Sequence, residues 1–382
     1  MLVSPQPRKN MRGVAALPDD IIFDVLSRLP TKSVIRCKSV CKAWFAMVSS
    51  QHFVSAHLEL SKVRSSILVV SRAYLEWGRE DMDAVCMGFF RYNGGSEAEL
   101  VHSENIARGI ACWASPLHCD GLVLVSTQNH EIVACNPATR EFITLPKGSN
   151  SLNKTRVGFG FDRCNNKYKA ARFFYQMDNE TAQTVCKFEV LTLGTAVWRQ
   201  TIDPPYPILG ITPAYMQGSL FWRINLPPLK HPKVFIQFNL VEEKFGLTPY
   251  PPSKAEPIYF VELEGGLCCA CFTEKYEVVE IWIYSEMQIW TQYCTIQIPE
   301  DIIVALPGHG VKIPKIIFDR DDLLLFRENS DRRTRDVKRV VERVNNFTYH
   351  SKDKGYKIYL GNELACHAVN YVDSMVRIGG YM

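Results

Sequence analysis

Four stretches of this chain repeat one pattern: IVACNPATREFITLP, FEVLTLGTAVWRQT, VFIQFNLVEEKFGLTP and VEIWIYSEMQIWTQY. Each is an apolar run, a polar turn, and a second run that opens on an aromatic residue: Phe142, Trp198, Phe245 and Trp290. Their spacings of 56, 47 and 45 residues lie at or somewhat above the roughly 40 to 50 residues of a four-stranded propeller blade. One such unit cannot bury both its faces alone, so units stack around an axis and bury them between neighbours. The pattern predicts a closed or nearly closed ring of five or six blades. The C-terminal run HAVNYVDSMVRI is expected to pair with the first strand and close it. A large sandwich or two stacked β domains is the alternative that the same runs permit.

Short runs rich in β-branched and aromatic residues, separated by Gly, Pro, Asn and Asp, extend this reading over most of the chain. They are ILVVS from Ile67, CMGFFRY from Cys86, GLVLVS from Gly121, EIVACN from Glu131, KYKAARFFY from Lys167 and CKFEVLTL from Cys186. Further along stand GSLFWRI from Gly218, KVFIQFNL from Lys233, GGLCCACF from Gly265, VVEIWIY from Val278 and DDLLLF from Asp321.

The region before Ile67 has a different period. Ile21, Ile22, Val25, Leu26 and Leu29 recur at offsets of three and four, a helical stripe. Pro18 suits a first turn, and Asp19 and Asp20 place negative charge at the positive end of the helix dipole. Pro30 stops this helix. Thr31 or Ser33 is expected to cap a second helix carrying Val34, Ile35 and Cys37. Val40, Cys41, Trp44, Phe45 and Val48 supply a third apolar set, and QHFVSAHLEL extends the helical module. So small a bundle is marginal alone and is expected to leave apolar surface for another protein.

Leu17-Pro18, the Ile22 and Leu26 stripe, Arg28-Leu29-Pro30, Ser33, Val40-Cys41-Lys42 and Trp44 together resemble the F-box of plant F-box proteins. The resemblance implies that the segment binds the Skp adaptor of a cullin-RING ubiquitin ligase. Leu17, Pro18, Ile22, Leu26, Leu29, Pro30, Val40, Cys41 and Trp44 would then lie at or under the contact. Some of these nine are core, and spacing does not sort them. A second resemblance is carried by CDGLVLV, CNPATREFITLP, VGFGFD, YKAARFF, FEVLTLGTAVWR and VNYVDSMVRI, which look like the F-box-associated region of the same proteins, related to kelch-type propellers. It implies a platform for substrate recognition rather than a catalyst. Residues 73–108 match it less closely.

The expected organisation is therefore α+β by segment: a disordered tail over residues 1–14, a helical F-box over 15–60, and a mostly β, propeller-like domain over 61–382. The 44 basic and 40 acidic residues nearly balance, which argues against a nucleic-acid binder. No apolar window is long enough to span a membrane, and the N-terminus lacks a signal-peptide core. The 13 scattered cysteines read as reduced thiols. These features lead to the expectation of a soluble protein of the cytoplasm, the nucleus or both, with the sequons at Asn153, Asn179 and Asn346 idle.

Several local signals have plainer readings than their chemistry suggests. The glycines of VGFGFD are strand glycines, because no helix follows to supply a phosphate cradle. Alternation along a strand sends Cys268 and Cys271 to opposite faces, and no second close pair completes a zinc site. His118-Cys119-Asp120 are adjacent and do not converge as a nucleophile constellation would. No cofactor or metal is expected. Residues 331–346 interrupt the β pattern: Val337, Val340, Val341 and Val344 lie at helical offsets opposite a basic face. That face makes Arg332, Arg333, Lys338 and Arg339 candidates for attracting an acidic target. Pro204 to Pro207, Pro227-Pro228 and Pro249 to Pro252 are expected to stiffen loops.

The leading expectation is a non-catalytic substrate receptor of an SCF-type ubiquitin ligase, with a target protein as second partner. The alternative is a ligand-binding propeller or propeller enzyme with a helical interaction module.

Overall fold

A computed structural model describes residues 17–64, 66–71, 85–92 and 99–106, most of 115–297, the strands between 304 and 371, and residues 372–379. The expected tail over 1–14 and the basic segment with Arg332, Arg333, Lys338 and Arg339 lie outside the described residues.

Four helices open the chain: α1 (Asp19–Ser27), α2 (Thr31–Cys37), α3 (Lys42–Ser49) and α4 (Gln51–Lys62). The boundary expected at residue 60 falls inside α4, whose last turn continues to Lys62. Pro18 and Pro30 are the N-caps of α1 and α2, one residue outside the helix, and neither helix has a side-chain cap. The expected capping by Thr31 or Ser33 is thus corrected. Each proline has extended ψ, offers its carbonyl to the first helical amides (Ile22 N to Pro18 O, 3.1 Å; Val34 N to Pro30 O, 3.1 Å), and has no N–H to leave unpaired. Thr31 is pulled inside the helix as its first residue, and its hydroxyl is buried. Side-chain caps do occur further on: Cys41 Sγ accepts from Trp44 N (3.4 Å) at α3 and Ser50 Oγ from Phe53 N (3.2 Å) at α4.

The remaining chain forms four-stranded sheets. The first contains β1 (Ser66–Ser71), β2 (Val85–Tyr92) and β3 (Glu99–Ile106). The second is β4 (Leu117–Cys119), β5 (Leu122–Ser126), β6 (Ile132–Asn136) and β7 (Glu141–Thr144). The third is β8 (Val157–Asp162), β9 (Lys167–Met177), β10 (Thr184–Thr192) and β11 (Arg199–Gln200). The fourth is β12 (Ala214–Met216), β13 (Ser219–Trp222), β14 (Val234–Asn239) and β15 (Lys244–Pro249). The fifth is β16 (Glu256–Leu263), β17 (Gly266–Phe272), β18 (Val278–Tyr284) and β19 (Trp290–Gln297). A two-stranded sheet, β20 (Val304–Leu306) and β21 (Gly310–Lys312), follows. The chain then gives β22 (Lys315–Asp319), β23 (Asp322–Phe326), β24 (Tyr349–His350), β25 (Lys357–Leu360) and β26 (Cys366–Tyr371).

All eleven apolar runs singled out in the sequence lie in strands. The last strand completes the first sheet in the order β26-β1-β2-β3, with Ser66 opposite Tyr371 and Val70 opposite His367. The ring is closed by pairing one end of the β domain with the other, as the C-terminal run predicted. Five sheets are antiparallel meanders, the blades of the propeller. The sheet β22-β23-β25-β24 departs from them because β23 and β25 run parallel. Its β22 lies between β16 and β26, filling the space between the fifth blade and the first. The five-or-six expectation thus resolves into five regular blades and one irregular sheet.

The repeated aromatics stand at the start of each outer strand and pack between blades. Phe142 meets Phe89 of the first blade (5.8 Å), Phe245 meets Phe188 of the third (4.9 Å), and Trp290 meets Phe235 of the fourth (6.1 Å). Trp198 instead donates Nε1–H to Pro146 O (2.8 Å) in the linker from the second blade, as Trp290 does to Pro249 O (2.7 Å). Burying a side chain of this size contributes about 2 to 3 kcal/mol, so these rings fix how neighbouring blades abut. Gly158 and Gly160 lie in β8, where a Cβ would collide with Trp222 and Leu220 or with the Tyr215 ring of the next blade. Cys268, Cys269 and Cys271 are buried in β17, with Cys269 and Cys271 sharing one face (Sγ to Sγ, 3.9 Å).

Candidate functional site: the outward face of the helical module

The helical module has a core, and the structure sorts its apolar residues. Leu26, Val34, Val48, Phe53, Val54 and Leu58 are buried together, with Ile22, Leu29 and Trp44 packed against them. Phe23 is wedged between the His52 and Phe53 rings (5.1 and 5.2 Å). His57, buried, bonds through Nε2 to Leu29 O (3.0 Å), a carbonyl left unpaired beyond the end of α1. Burial of this ring lowers its pKa.

A second set of apolar side chains faces solvent. Leu17 is 63% exposed, Ile21 49%, Val25 51%, Val40 61% and Phe45 56%. Leu17, Ile21 and Val25 fall every fourth residue, one line along α1 and its approach. The expectation that Ile21 and Val25 share one stripe with Ile22, Leu26 and Leu29 is corrected: Ile22, Leu26 and Leu29 form an inner line, and Leu17, Ile21 and Val25 an outer one. Single exposed hydrophobics are ordinary, but five in so short a module leave a surface suited to a partner.

Of the nine residues singled out for adaptor contact, Leu17, Pro18, Pro30, Val40 and Cys41 are exposed. Ile22, Leu29 and Trp44 are half-buried, and Leu26 is core. Sequence reasoning did not place Ile21, Val25 and Phe45 on the outward side. Their fourfold spacing relative to Leu17 was the available signal for the first two.

The inner side of the module is seated on the propeller. Lys62 Nζ reaches Asp120 Oδ1 (3.4 Å) in the β4–β5 turn, and Lys32 Nζ approaches Glu99 Oε1 (4.0 Å) at the start of β3. Lys38 is half-buried between Arg377 and Glu141, and its pKa is lowered, by burial first and by the Arg377 charge second. The module therefore covers the end of the second blade that carries the β4–β5 and β6–β7 turns. Strand alternation sends every second connection to the opposite end. These include 201–213, 223–233 and 250–255, where the loop prolines stand. Two of these loops are joined by backbone pairing around Ile208 and Ile224, with Leu209 N to Arg223 O (2.8 Å) and Asn225 N to Pro207 O (2.7 Å). Tyr175 Oη donates to Ile208 O (2.8 Å) beside them.

A family model for the F-box domain matches residues 15–55, the helices just described, and one for the F-box associated beta propeller domain matches residues 96–307. The chain belongs to the F-box-associated β-propeller family. Relatives include an F-box/LRR-repeat protein of Arabidopsis thaliana, 26% identical over 298 residues, covering 72% of this chain and 66% of the relative. The Arabidopsis F-box protein CPR1 is 22% identical over 322 residues, 76% of this chain and 75% of that one. A putative F-box protein of the same plant is 31% identical over 216 residues, 54% of this chain and 44% of the relative. The relatives are thus plant F-box proteins. Within this F-box protein Leu17, Ile21, Val25, Val40 and Phe45 expose apolar side chains in or beside the F-box helices, and the blades carry the proline-bearing loops at the far end.

The histidine, cysteine and aspartate at 118–120 form a joint in the propeller. His118 Nε2 accepts from Gly121 N (2.8 Å) and Val372 N (3.2 Å), so the ring must be neutral there, and burial pushes its pKa down to about 3. Asp120 Oδ2 accepts from Tyr168 Oη (3.1 Å) of the third blade. Among the described residues no group of three or more His, Cys, Asp or Glu is placed to hold a metal ion, and no helix is long and apolar enough to cross a membrane.

Proposed function

We propose that this protein is the substrate-recognition subunit of an SCF-type cullin-RING ubiquitin ligase. Residues 15–60, with the rest of α4, act as the F-box that binds the Skp adaptor, and residues 61–382 act as the recognition domain. The observation that carries this reading is the outward apolar surface of a module matched as an F-box: Leu17, Ile21, Val25, Val40 and Phe45, with Pro18, Pro30 and Cys41 beside them. Ile22, Leu29 and Trp44 support that surface from beneath, and Leu26 serves it only as core.

The target is a protein held by loops at the opposite end, and the contribution to ubiquitin transfer is proximity. Holding an acceptor lysine near the loaded conjugating enzyme replaces a bimolecular encounter by a local one. No residue of this chain does chemistry in that scheme, and no cofactor is required. A kelch-type kinship of the propeller is part of the proposal, supported by a relative named a putative F-box/kelch-repeat protein, 23% identical over 292 residues. The working compartment is the cytoplasm, the nucleus or both, where the ligase operates.

The test is co-purification of the full chain with a plant Skp adaptor, alongside a Leu17→Ala, Pro18→Ala double variant. Retention by the intact chain and loss by the variant, with unchanged circular dichroism, is expected. Failure of the folded intact chain to retain the adaptor would overturn the reading.

A further inference from the structure

The end of the described chain is unusually well held. After β26, residues 372–379 cross the turn end of the second blade. Asn136 Nδ2 donates to both Ser374 O (3.1 Å) and Val376 O (2.8 Å), while its Oδ1 accepts from Ala138 N (3.0 Å) in its own turn. Ser374 Oγ donates to Asp120 O (2.6 Å), Val372 N donates to His118 Nε2 (3.2 Å), and Ile378 N donates to Glu141 Oε2 (3.2 Å). A Cβ at Gly121, whose φ is +89, would overlap Ser374 Oγ, so that turn is shaped for the segment's passage. A Cβ at Gly194 of the third blade would lie 3.1 Å from Gly379 O, so the segment reaches that far.

Its side chains are buried as well. Ser374, Met375, Val376 and Ile378 are all 5% exposed or less. Met375, Val376 and Ile378 belong to the same buried cluster as Leu26, Val34, Val48, Phe53, Val54 and Leu58 of the helices and Cys119 and Leu122 of the second blade. The segment is bonded to the second blade through its backbone, and its apolar side chains are buried in one cluster with side chains of the helices and of the second and third blades. The direct polar ties across the same boundary are few and mostly exposed, and such pairs are worth under about 1 kcal/mol each. The covalent link between α4 and β1 is short but carries the exposed Val63 and Arg64.

We infer that residues 372–378 are a strap that locks the helical module to the propeller in one orientation. Because the strap continues directly from the ring-closing strand β26, the module is docked only on a closed ring. Its outward face is thereby held at a fixed position relative to the far-end loops. The strap acts in this way whatever binds either surface.

Hydrogen exchange read by mass spectrometry on the full chain tests this, with a Met375→Ala, Ile378→Ala double variant and a chain ending at Tyr371. In the double variant, peptides from α1 to α4 should exchange at least about tenfold faster, while peptides from β13 to β19, whose buried side chains belong to other clusters, keep wild-type protection. The truncated chain should show a larger effect in the same peptides. Wild-type protection of the helices in the double variant would overturn the inference. Equal acceleration in helices and blades would overturn it too, since the segment would then be ring core rather than a coupler.

Discussion

His118 shows how a residue type that suggests chemistry can serve a joint. Its ring accepts two backbone N–H groups, one from its own turn and one from the strap, and a protonated ring can accept neither. Folded, burial holds it neutral down to about pH 3; unfolded, it takes up a proton near its ordinary value of 6.5. The unfolded state therefore binds the extra proton in between. His118 stability is fully present above pH 6.5 and is lost as pH falls through the window toward 3, with His57, also lowered, acting in the same direction. The melting temperature should fall with acidification between pH 6.5 and 4.5, and less steeply in His118→Asn, whose amide oxygen accepts without titrating. Equal slopes would show that the joint does not titrate as described. The buried pair of Arg172 and Glu189 (2.5 Å) gives a second residue-scale expectation. Glu189 also accepts from Ser149 N and Oγ (3.1 and 2.7 Å), tying the linker between the second and third blades. Arg172→Met leaves a buried carboxylate unpaired and should cost about 3 to 5 kcal/mol in urea unfolding, whereas adding Glu189→Leu should recover much of the loss. A double variant no more stable than the single would contradict this.

At the scale of elements, alternation, turn residues and aromatic spacing were enough to find the strands, because β-strands buried between blades need little beyond apolar side chains on both faces. Some of the elements missed gain their structure from neighbours. β4 and β12 are three residues long and exist as rungs beside longer strands, so their own composition says little. β3, ELVHSENI, is polar enough to read as a loop, yet it pairs along its length with β2. At the helices, proline at the N-cap was misread as proline in the first turn, because both positions dispense with the N–H and only the ψ of the residue separates them. The inner and outer lines of α1 were merged for a similar reason: offsets of three and four describe a broad stripe, and Ile21 and Ile22, about 100° apart around the helix, fall on its exposed and buried edges. What faces a partner and what faces the core is decided by the packing of α4 and the strap, which local periodicity does not contain.

For the whole molecule, ring closure and module docking are one construction. The first sheet joins the two ends of the β domain, and the chain leaving that sheet at each end goes to the helices, by covalent connection at Ser66 and by the strap after Tyr371. The result sets an apolar outward face on one side and zipped, proline-bearing loops on the opposite end of the propeller. The architecture was legible in the sequence because repeats announce themselves; the strap was not, because VDSMVRI reads only as the tail of a strand. The target-binding side chains are a matter of loop chemistry, which varies independently of the blades that hold them.

The measurement that bears most directly on this account is calorimetric titration of the full chain with purified Skp adaptor, comparing Phe45→Asp with Val197→Asp, two exposed apolar positions on the helical module and on a blade turn. The intact chain should bind, Phe45→Asp should weaken binding by at least about tenfold with an unchanged melting temperature, and Val197→Asp should bind as the intact chain does. Equal binding by both variants, or none by the intact folded chain, would contradict it.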